Sequence, residues 1–288
     1  MRDDDTLILG AVAYDPKVVT IWDGFRAYFA EHGLDFDYVL FSNYERQVQA
    51  HFDGLITVAW NSPLAWLQSE SIAAASGRKV QALCMRDTDR DLTSLIVVRS
   101  DGTLRTPADL KGRRVAVGAA DSPQATLIPL GFLAAQGLQP GVDFELARFD
   151  LLAGKHGDHI GGEREAVRAL IHDQADAACI LDANQLLFER EATVAPGALR
   201  VVARTPAYDH CNFTVIAPDA ATAPVKRFAE LLMAMSHADE RVRPLLDMEG
   251  LKQWTPGRAS GYAQLRAAVD RFGTIDRFVR QYSVARQK

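Results

Sequence analysis

Residues 114–138, RVAVGAADSPQATLIPLGFLAAQGL, restrict the fold more than any other stretch of the chain. Val115, Ala116 and Val117 are a short apolar run suited to a buried strand, and Gly118 to Pro123 turns the chain out of it. Leu127, Leu130, Leu133, Ala134 and Leu138 then recur at helical spacing, with Gly137 and Pro140 as the stop signal. A strand that passes through small and hydroxyl residues into a helix leaves backbone N–H groups free at the helix start, which suits an anion. Ser122, Gln124 and Thr126 add side-chain donors there, and Asp121 or Ser122 is placed to cap the helix. Capping alone also accounts for these residue types, so both readings stand on this stretch taken by itself.

The same strand, turn and helix grammar runs through the rest of the chain. Residues 6–13 read as a strand, and Val18, Ile21, Trp22, Phe25 and Phe29 give the spacing of a helix that stops at Gly33. A strand at 36–41, a short helix at 44–52 and a strand at 55–59 complete a β-α-β-α-β opening, which predicts a mainly parallel sheet flanked by helices. The third strand runs into Trp60, Asn61, Ser62 and Pro63, with Ser62 suited to the N-cap and Pro63 to the first helical position. Ligands of open α/β sheets sit outside the carboxyl ends of the strands, where Trp60, Asn61 and Ser62 fall. The competing reading makes Trp60 a core aromatic and Asn61 a turn residue.

Two more strands are expected at 80–85 and 92–98, separated by the charged stretch RDTDRD. The polar, turn-rich segment 100–110 then carries the chain into a second domain. That domain repeats the plan, with strands at 115–117, 143–149 and 175–181 and a helix at 163–173. Strands near 201–203 and 213–216 bracket TPAYDHCN and bring the chain back. Helices at 224–235, 240–246 and 262–282 follow, the last two joined by the loop LKQWTPGRASG. The expected division is a discontinuous first lobe, 1–99 with 207–288, and an inserted second lobe, 100–206.

Composition narrows the function. The 288 residues are 48% hydrophobic and 24% charged, ordinary values for a globular protein with a sizeable core. A net charge of −5 with scattered basic residues argues against a nucleic-acid partner. No apolar stretch reaches the ~20 residues that a membrane span requires. Three acids follow Arg2 where a secretory signal would carry a basic region and a long apolar one, so the sequence as encoded is expected to stay in the cytoplasm. Cys84, Cys179 and Cys211 are odd in number and widely spaced, which gives neither a disulfide framework nor a CxxC metal pattern.

Two α/β lobes joined by two crossing strands resemble the type II periplasmic binding proteins, and several motifs resemble the phosphonate-binding branch of these ABC transporter receptors. The matching segments are GLITVAWNS (54–62), DLKGRRVAV (109–117), DSPQAT (121–126) and QADAA (174–178). The resemblance covers roughly residues 6–245. It implies that hydroxyls and backbone N–H groups at helix starts of both lobes grip an anion, phosphonate, phosphate or carboxylate in kind, and that hinge closure buries it. Carried over by position, it assigns ligand contacts to Tyr14, Asn61 and Ser62 in the first lobe and to Ser122, Gln124 and Thr126 in the second. Trp60, Asp121 and His210 join them by placement, and Asp182 is implied as a contact for a ligand amine or as a helix cap. Convergent donors suit a buried oxyanion because they replace a lost hydration shell. No cofactor is expected on this reading.

Three departures from that family pattern keep an enzyme in view. The first is the lack of a signal sequence. The second is GKHGDHIGGE (154–163), where His156, Asp158, His159 and Glu163 gather imidazole and carboxylate groups that could hold a divalent transition metal, or else bond to backbone. The third is Tyr208-Asp209-His210-Cys211-Asn212. Neighbours on a strand point to opposite faces, so His210 and Cys211 are not expected to pair with each other, and a simply buried Cys211 is the competing reading. The alternative function is a cytosolic hydrolase or decarboxylase, metal-assisted, using His156, His159, Glu163, His210 and Cys211. Leu265, Val269, Phe272 and Phe278 give the last helix an apolar face, for packing on the first lobe or for a homodimer.

Overall fold

The computed structural model describes residues 6–150 and 159–273. The chain divides into two compact units, Met1–Arg90 with Asp209–Tyr262 and Asp91–Tyr208 with Ala263–Lys288. The first junction therefore comes before the strand that the sequence assigned to the first lobe, and the C-terminal helix belongs to the second unit.

The first unit opens with β1 (Leu7–Val12), α1 (Lys17–Glu31), β2 (Phe36–Phe41), α2 (Tyr44–Phe52), β3 (Val58–Asn61), α3 (Pro63–Ala75) and β4 (Lys79–Arg86). In the second unit come β5 (Ser94–Arg99), β6 (Arg114–Val117), α4 (Ile128–Ala135), β7 (Glu145–Arg148), α5 (His159–Ile171), β8 (Ala177–Leu181), α6 (Asp182–Arg190) and β9 (Leu199–Arg204). The chain returns to the first unit for β10 (Asn212–Ala217), α7 (Ala223–Ala234), α8 (Arg243–Glu249) and β11 (Trp254–Pro256), and α9 (Ala263–Phe272) completes the second. The first sheet has the order β11-β4-β10-β3-β1-β2 and the second the order β7-β6-β8-β5-β9.

Both sheets are mixed rather than mainly parallel, and the cause lies in the crossings. In the first sheet β1 runs parallel to β2 and β3, while β10 runs antiparallel to both β3 and β4. In the second, β6 runs parallel to β7 and β8, while β5 runs antiparallel to both β8 and β9. Strands β5 and β10 are the first to form after a unit junction, and each inserts antiparallel inside the sheet it enters. The sheet edge that collects the carboxyl ends of the parallel strands therefore also collects the start of the inserted strand, and with it the chain crossing. Asn212 pairs with Asn61 in one unit and Ser94 with Leu181 in the other.

The two cores differ in chemistry. The first packs the buried face of α1, carrying Val18, Ile21, Trp22, Phe25 and Phe29, against Phe213, Phe228 and Trp254. The second is aliphatic, built from residues such as Leu95, Val97, Val167, Leu170 and Ile180 around Phe188. Helix α9 buries Leu265, Ala268 and Phe272 and packs on α4 within the second unit, which corrects the expectation that it covers the first. Phe278 of that expectation lies outside the described residues.

Candidate functional site

In the second unit, β6 ends at Val117 and the chain turns through Gly118 to Ser122 into a π-helical turn, Pro123–Leu127, continuous with α4. Ser122 is the cap: its Oγ accepts the Ala125 N–H at 3.1 Å, and its backbone carbonyl accepts the Leu127 N–H at 3.0 Å. The side chain is fully buried, and its hydroxyl proton has no acceptor among the described residues. The Thr126 hydroxyl donates to the Ala119 carbonyl at 2.7 Å, so it braces the turn instead of offering a ligand donor. Gln124 is buried, and its Oε1 has no hydrogen-bond partner among the described residues. Asp121 is buried too, but it is not the cap.

A hydrogen-bond relay holds this turn from the inserted strand. Ser94, the first residue of β5, donates its Oγ proton to the Gln124 carbonyl at 2.6 Å, which leaves the Tyr208 hydroxyl to donate to Ser94 Oγ at 2.7 Å. Burial raises the Tyr208 phenol, so it stays a donor. The start of α5 lies over the same turn, where a Cβ on Gly162 would come within 2.7 Å of the Phe149 carbonyl oxygen. The metal set read in GKHGDHIGGE loses a member here. Glu163 is fully buried, and its Oε2 accepts both the Leu181 N–H and the Asn184 amide at 2.8 Å, tying α5 to the end of β8. His156 and Asp158 lie outside the described residues, as does the side chain of His159. Asp182 is half exposed and bonded to Thr93 and Arg204, so its carboxylate already has a cation. Arg148, in register with Val117 on β7, brings a guanidinium with buried Nε and Nη1 atoms to this edge and was not read as a site residue from the sequence.

The corresponding edge of the first unit is charged. Arg86 ends β4 and pairs with Asp89 through Nε to Oδ2 at 2.5 Å and Nη2 to Oδ1 at 3.1 Å. Its Nη1 reaches Glu249 at 3.3 Å, and its guanidinium lies 5.2 Å from the Trp60 ring centroid. Burial works against the Asp89 carboxylate, but the Arg86 charge outweighs it and holds Asp89 down at about 2. Burial raises Glu249. His210 Nδ1 stands 3.1 Å from Cys211 Sγ and 3.4 Å from Asp89 Oδ1. Burial alone would lower this imidazole, yet Cys211 and Asp89 outweigh it and raise His210 to about 10. Tyr14 is 52% exposed, and the charges of Arg86 and Glu249 act on its hydroxyl.

The contact between His210 and Cys211 corrects the expectation that they point apart. Alternation applies within a strand, and β10 begins only at Asn212. The segment before it is shaped by the loop LKQWTPGRASG. Arg258 grips the buried Asp209 carboxylate through two contacts of 2.6 Å, and Tyr262 donates to the His210 carbonyl at 2.7 Å. Gly261 passes so close that a Cβ there would sit 1.9 Å from Asp209 Oδ2. The same geometry opposes the nucleophile reading, because one ring nitrogen, Nδ1, faces both thiol and carboxylate. A thiol, base and orienting acid in relay use the two imidazole nitrogens for different partners.

Asn61 is a second correction. It is the last residue of β3, fully buried, and its amide is spent on Gln47 at 2.8 Å, Thr214 at 2.8 Å and Ser69 at 3.3 Å. Trp60 is a core aromatic, 4.6 Å from Phe213 between ring centroids. Ser62 caps α3 by accepting the Ala65 N–H. Of the first-lobe residues read from sequence, the structure gathers Tyr14, Trp60 and His210 around Arg86, Asp89 and Glu249. Arg86 and Asp89 were hidden in RDTDRD, a stretch that reads as a solvated separator until the fold is known.

Two α/β units, each with a strand-to-helix turn at the carboxyl edge of a mixed sheet, define a small-molecule binding protein of the periplasmic receptor type. Residues 11–262 match the family described as "ABC transporter, phosphonate, periplasmic substrate-binding protein", and the chain belongs to it. Similar solved structures include PhnD1 from Prochlorococcus marinus in complex with methylphosphonate, with TM-score 0.66, 16% identity, and coverage of 93% of this chain and 98% of that one. XAC2383 from Xanthomonas citri bound to ATP gives TM-score 0.68 at 16% identity, again over 93% and 98% of the two chains. The periplasmic aliphatic sulphonate-binding protein SsuA from Escherichia coli gives TM-score 0.54 at 15% identity, over 94% and 87%. A comparison with curated protein sequences finds no match. Among the described residues no helix is long and apolar enough to cross a membrane.

Proposed function

We propose that this chain is the capturing component of a transport or sensing system for a small oxyanion, phosphonate-like in its head group, and that the turn after β6 makes the first contact with it. The observation that carries this reading is Ser122. Its oxygen is committed to the helix start while its proton has no acceptor among the described residues, in a turn whose backbone is braced by Thr126, Ser94 and Tyr208. A donor fixed in this way is already oriented for an anion and loses little freedom on binding.

Calorimetry and thermal shift with methylphosphonate, phosphate, an alkyl sulfonate and a short carboxylate test the reading. At least one of the phosphorus oxyanions raises Tm progressively with its concentration, as mass action requires. If none of the four does, the oxyanion reading fails. Closure on the ligand is tested separately by small-angle scattering, where contraction on saturation supports it and an unchanged profile removes it.

A further inference from the structure

We propose that Asp89, His210 and Cys211 form a binding site for one divalent transition cation of the zinc or cobalt type. Among the described residues these three form one group in which a thiol, an imidazole and a carboxylate place their ligand atoms within 4.8 Å of one another. Tetrahedral coordination at the usual metal–ligand lengths sets neighbouring ligand atoms about 3.3–3.8 Å apart. The His210 Nδ1 to Asp89 Oδ1 distance, 3.4 Å, falls within that range, and the Nδ1 to Cys211 Sγ distance, 3.1 Å, lies just below it, so a small outward rotation of the thiol completes the spacing. The arrangement that rules out a two-nitrogen relay is the one a metal requires, since a single nitrogen turned toward both sulfur and oxygen acts as the shared corner. Three protein ligands leave a fourth position for water or another small donor.

The surroundings support the site. The ligands are fixed before any ion arrives: Asp89 by Arg86, His210 through its carbonyl by Tyr262, and the backbone of both through the His210 N–H donating to the Asp89 carbonyl at 2.8 Å. Outer partners of this kind keep ligands oriented. Arg86 is the opposing charge, and its contact with the Glu249 carboxyl at 3.3 Å partly offsets it. A thiolate, a carboxylate and a neutral imidazole bring two negative charges to a doubly charged cation, so the loaded site is neutral in its inner sphere. The mixed sulfur, nitrogen and oxygen set selects a borderline cation over calcium or magnesium.

The test uses the full chain, tag-free and chelator-treated, titrated anaerobically with Co²⁺ and then competed with Zn²⁺. The expected result is a sulfur-to-cobalt charge-transfer absorption that saturates at one equivalent and is abolished by Zn²⁺. Cys211→Ser removes the band, and His210→Ala weakens binding by about tenfold or more. Cys84 and Cys179 do not supply it, since burial pushes both thiols up to about 12 and neither belongs to a ligand group. Metal held by the segment 154–163 gives no sulfur band either. An absent band in the wild-type protein, or an unchanged one in Cys211→Ser, overturns the proposal. The wild-type spectrum decides the question even if a variant misfolds, and oxyanion titration of the chelator-treated protein reads the first proposal independently.

Discussion

The two carboxyl edges solve the same topological problem with opposite chemistry. In the first unit, polar groups are ionised, buried and committed to one another: Arg86 to Asp89 and Glu249, Arg258 to Asp209, His210 to Asp89. In the second, the turn is held chiefly by neutral hydroxyls and backbone amides, and the Ser122 proton has no acceptor among the described residues. A self-paired ionic edge resists disruption but has little left to give an oxyanion. A hydroxyl edge held from behind gives up less stability when altered and more binding. Substitutions in the first unit should therefore register as stability, and those in the second as affinity.

The largest effect tests the ionic edge. Arg258→Ala removes both contacts to an Asp209 side chain that is 0% exposed, and breaking a buried pair from one side costs about 3 kcal/mol or more. Urea unfolding should show that loss. A loss under about 1 kcal/mol, the range of exposed pairs, would place Asp209 outside the framework of the first unit.

Next comes acid. Burial, with help from the Arg78 charge and against a hydrogen bond to the Thr57 carbonyl, lowers His51 from 6.5 to about 4. Its ring is 2% exposed and stays neutral in the folded protein at neutral pH. As pH falls from 6.5 toward 4, the unfolded chain takes up the proton and the folded chain does not, so stability drops. The full loss is on the order of 3 kcal/mol and is complete below pH 4. His51→Gln should flatten that limb of the stability profile, as read by denaturant midpoints at a series of pH values. An unaltered slope would assign the acid sensitivity elsewhere.

Asn61→Ala separates structure from binding within the first unit. It strips Gln47 and Thr214 of a partner in the interior, at a cost of about 2 kcal/mol, while oxyanion affinity measured on the folded fraction stays unchanged. A selective loss of affinity would return Asn61 to the site.

Why the sequence made Asn61 look like a ligand contact is instructive. Periodicity located the strand and the helix after it, but the strand runs to Asn61 rather than stopping at Ala59, and that extension carries Asn61 from the rim into the paired, buried part of the sheet. The family, the α/β class and the Ser122 turn were all legible, because a strand, a glycine-containing turn and an apolar helical stripe are local signals. The inserted antiparallel strands were not, since nothing local in residues 94–99 or 212–217 records which neighbours they meet. The ionic edge escaped for the same reason: Arg86 and Asp89, His210, and Glu249 are brought together from three separate segments, and RDTDRD looks like any solvated run.

In the second unit the effects become smaller. Ser94→Ala strands the buried Tyr208 hydroxyl and the Gln124 carbonyl, for about 1 kcal/mol. In a cycle with Tyr208→Phe the two losses should fail to add, with a coupling of about 1 kcal/mol, because the hydroxyls form one relay. Additive losses would show that the turn is not held through it.

Ser122→Ala is the smallest change in stability and the most informative in function. The hydroxyl caps a helix start by accepting one N–H at 3.1 Å, and such a cap is worth about 1 kcal/mol or less when the first turn is otherwise packed. Its proton, without an acceptor among the described residues, is another matter. A hydrogen bond to a charged group contributes about 1.5–3 kcal/mol, so loss of this donor should weaken methylphosphonate binding about tenfold or more. Ser122→Thr keeps the hydroxyl and should recover much of the affinity if the added methyl is accommodated beside Ala125. If alanine lowers stability by 2 kcal/mol and leaves affinity intact, Ser122 is a cap and nothing more, and the contrast between the two edges collapses to a difference in charge.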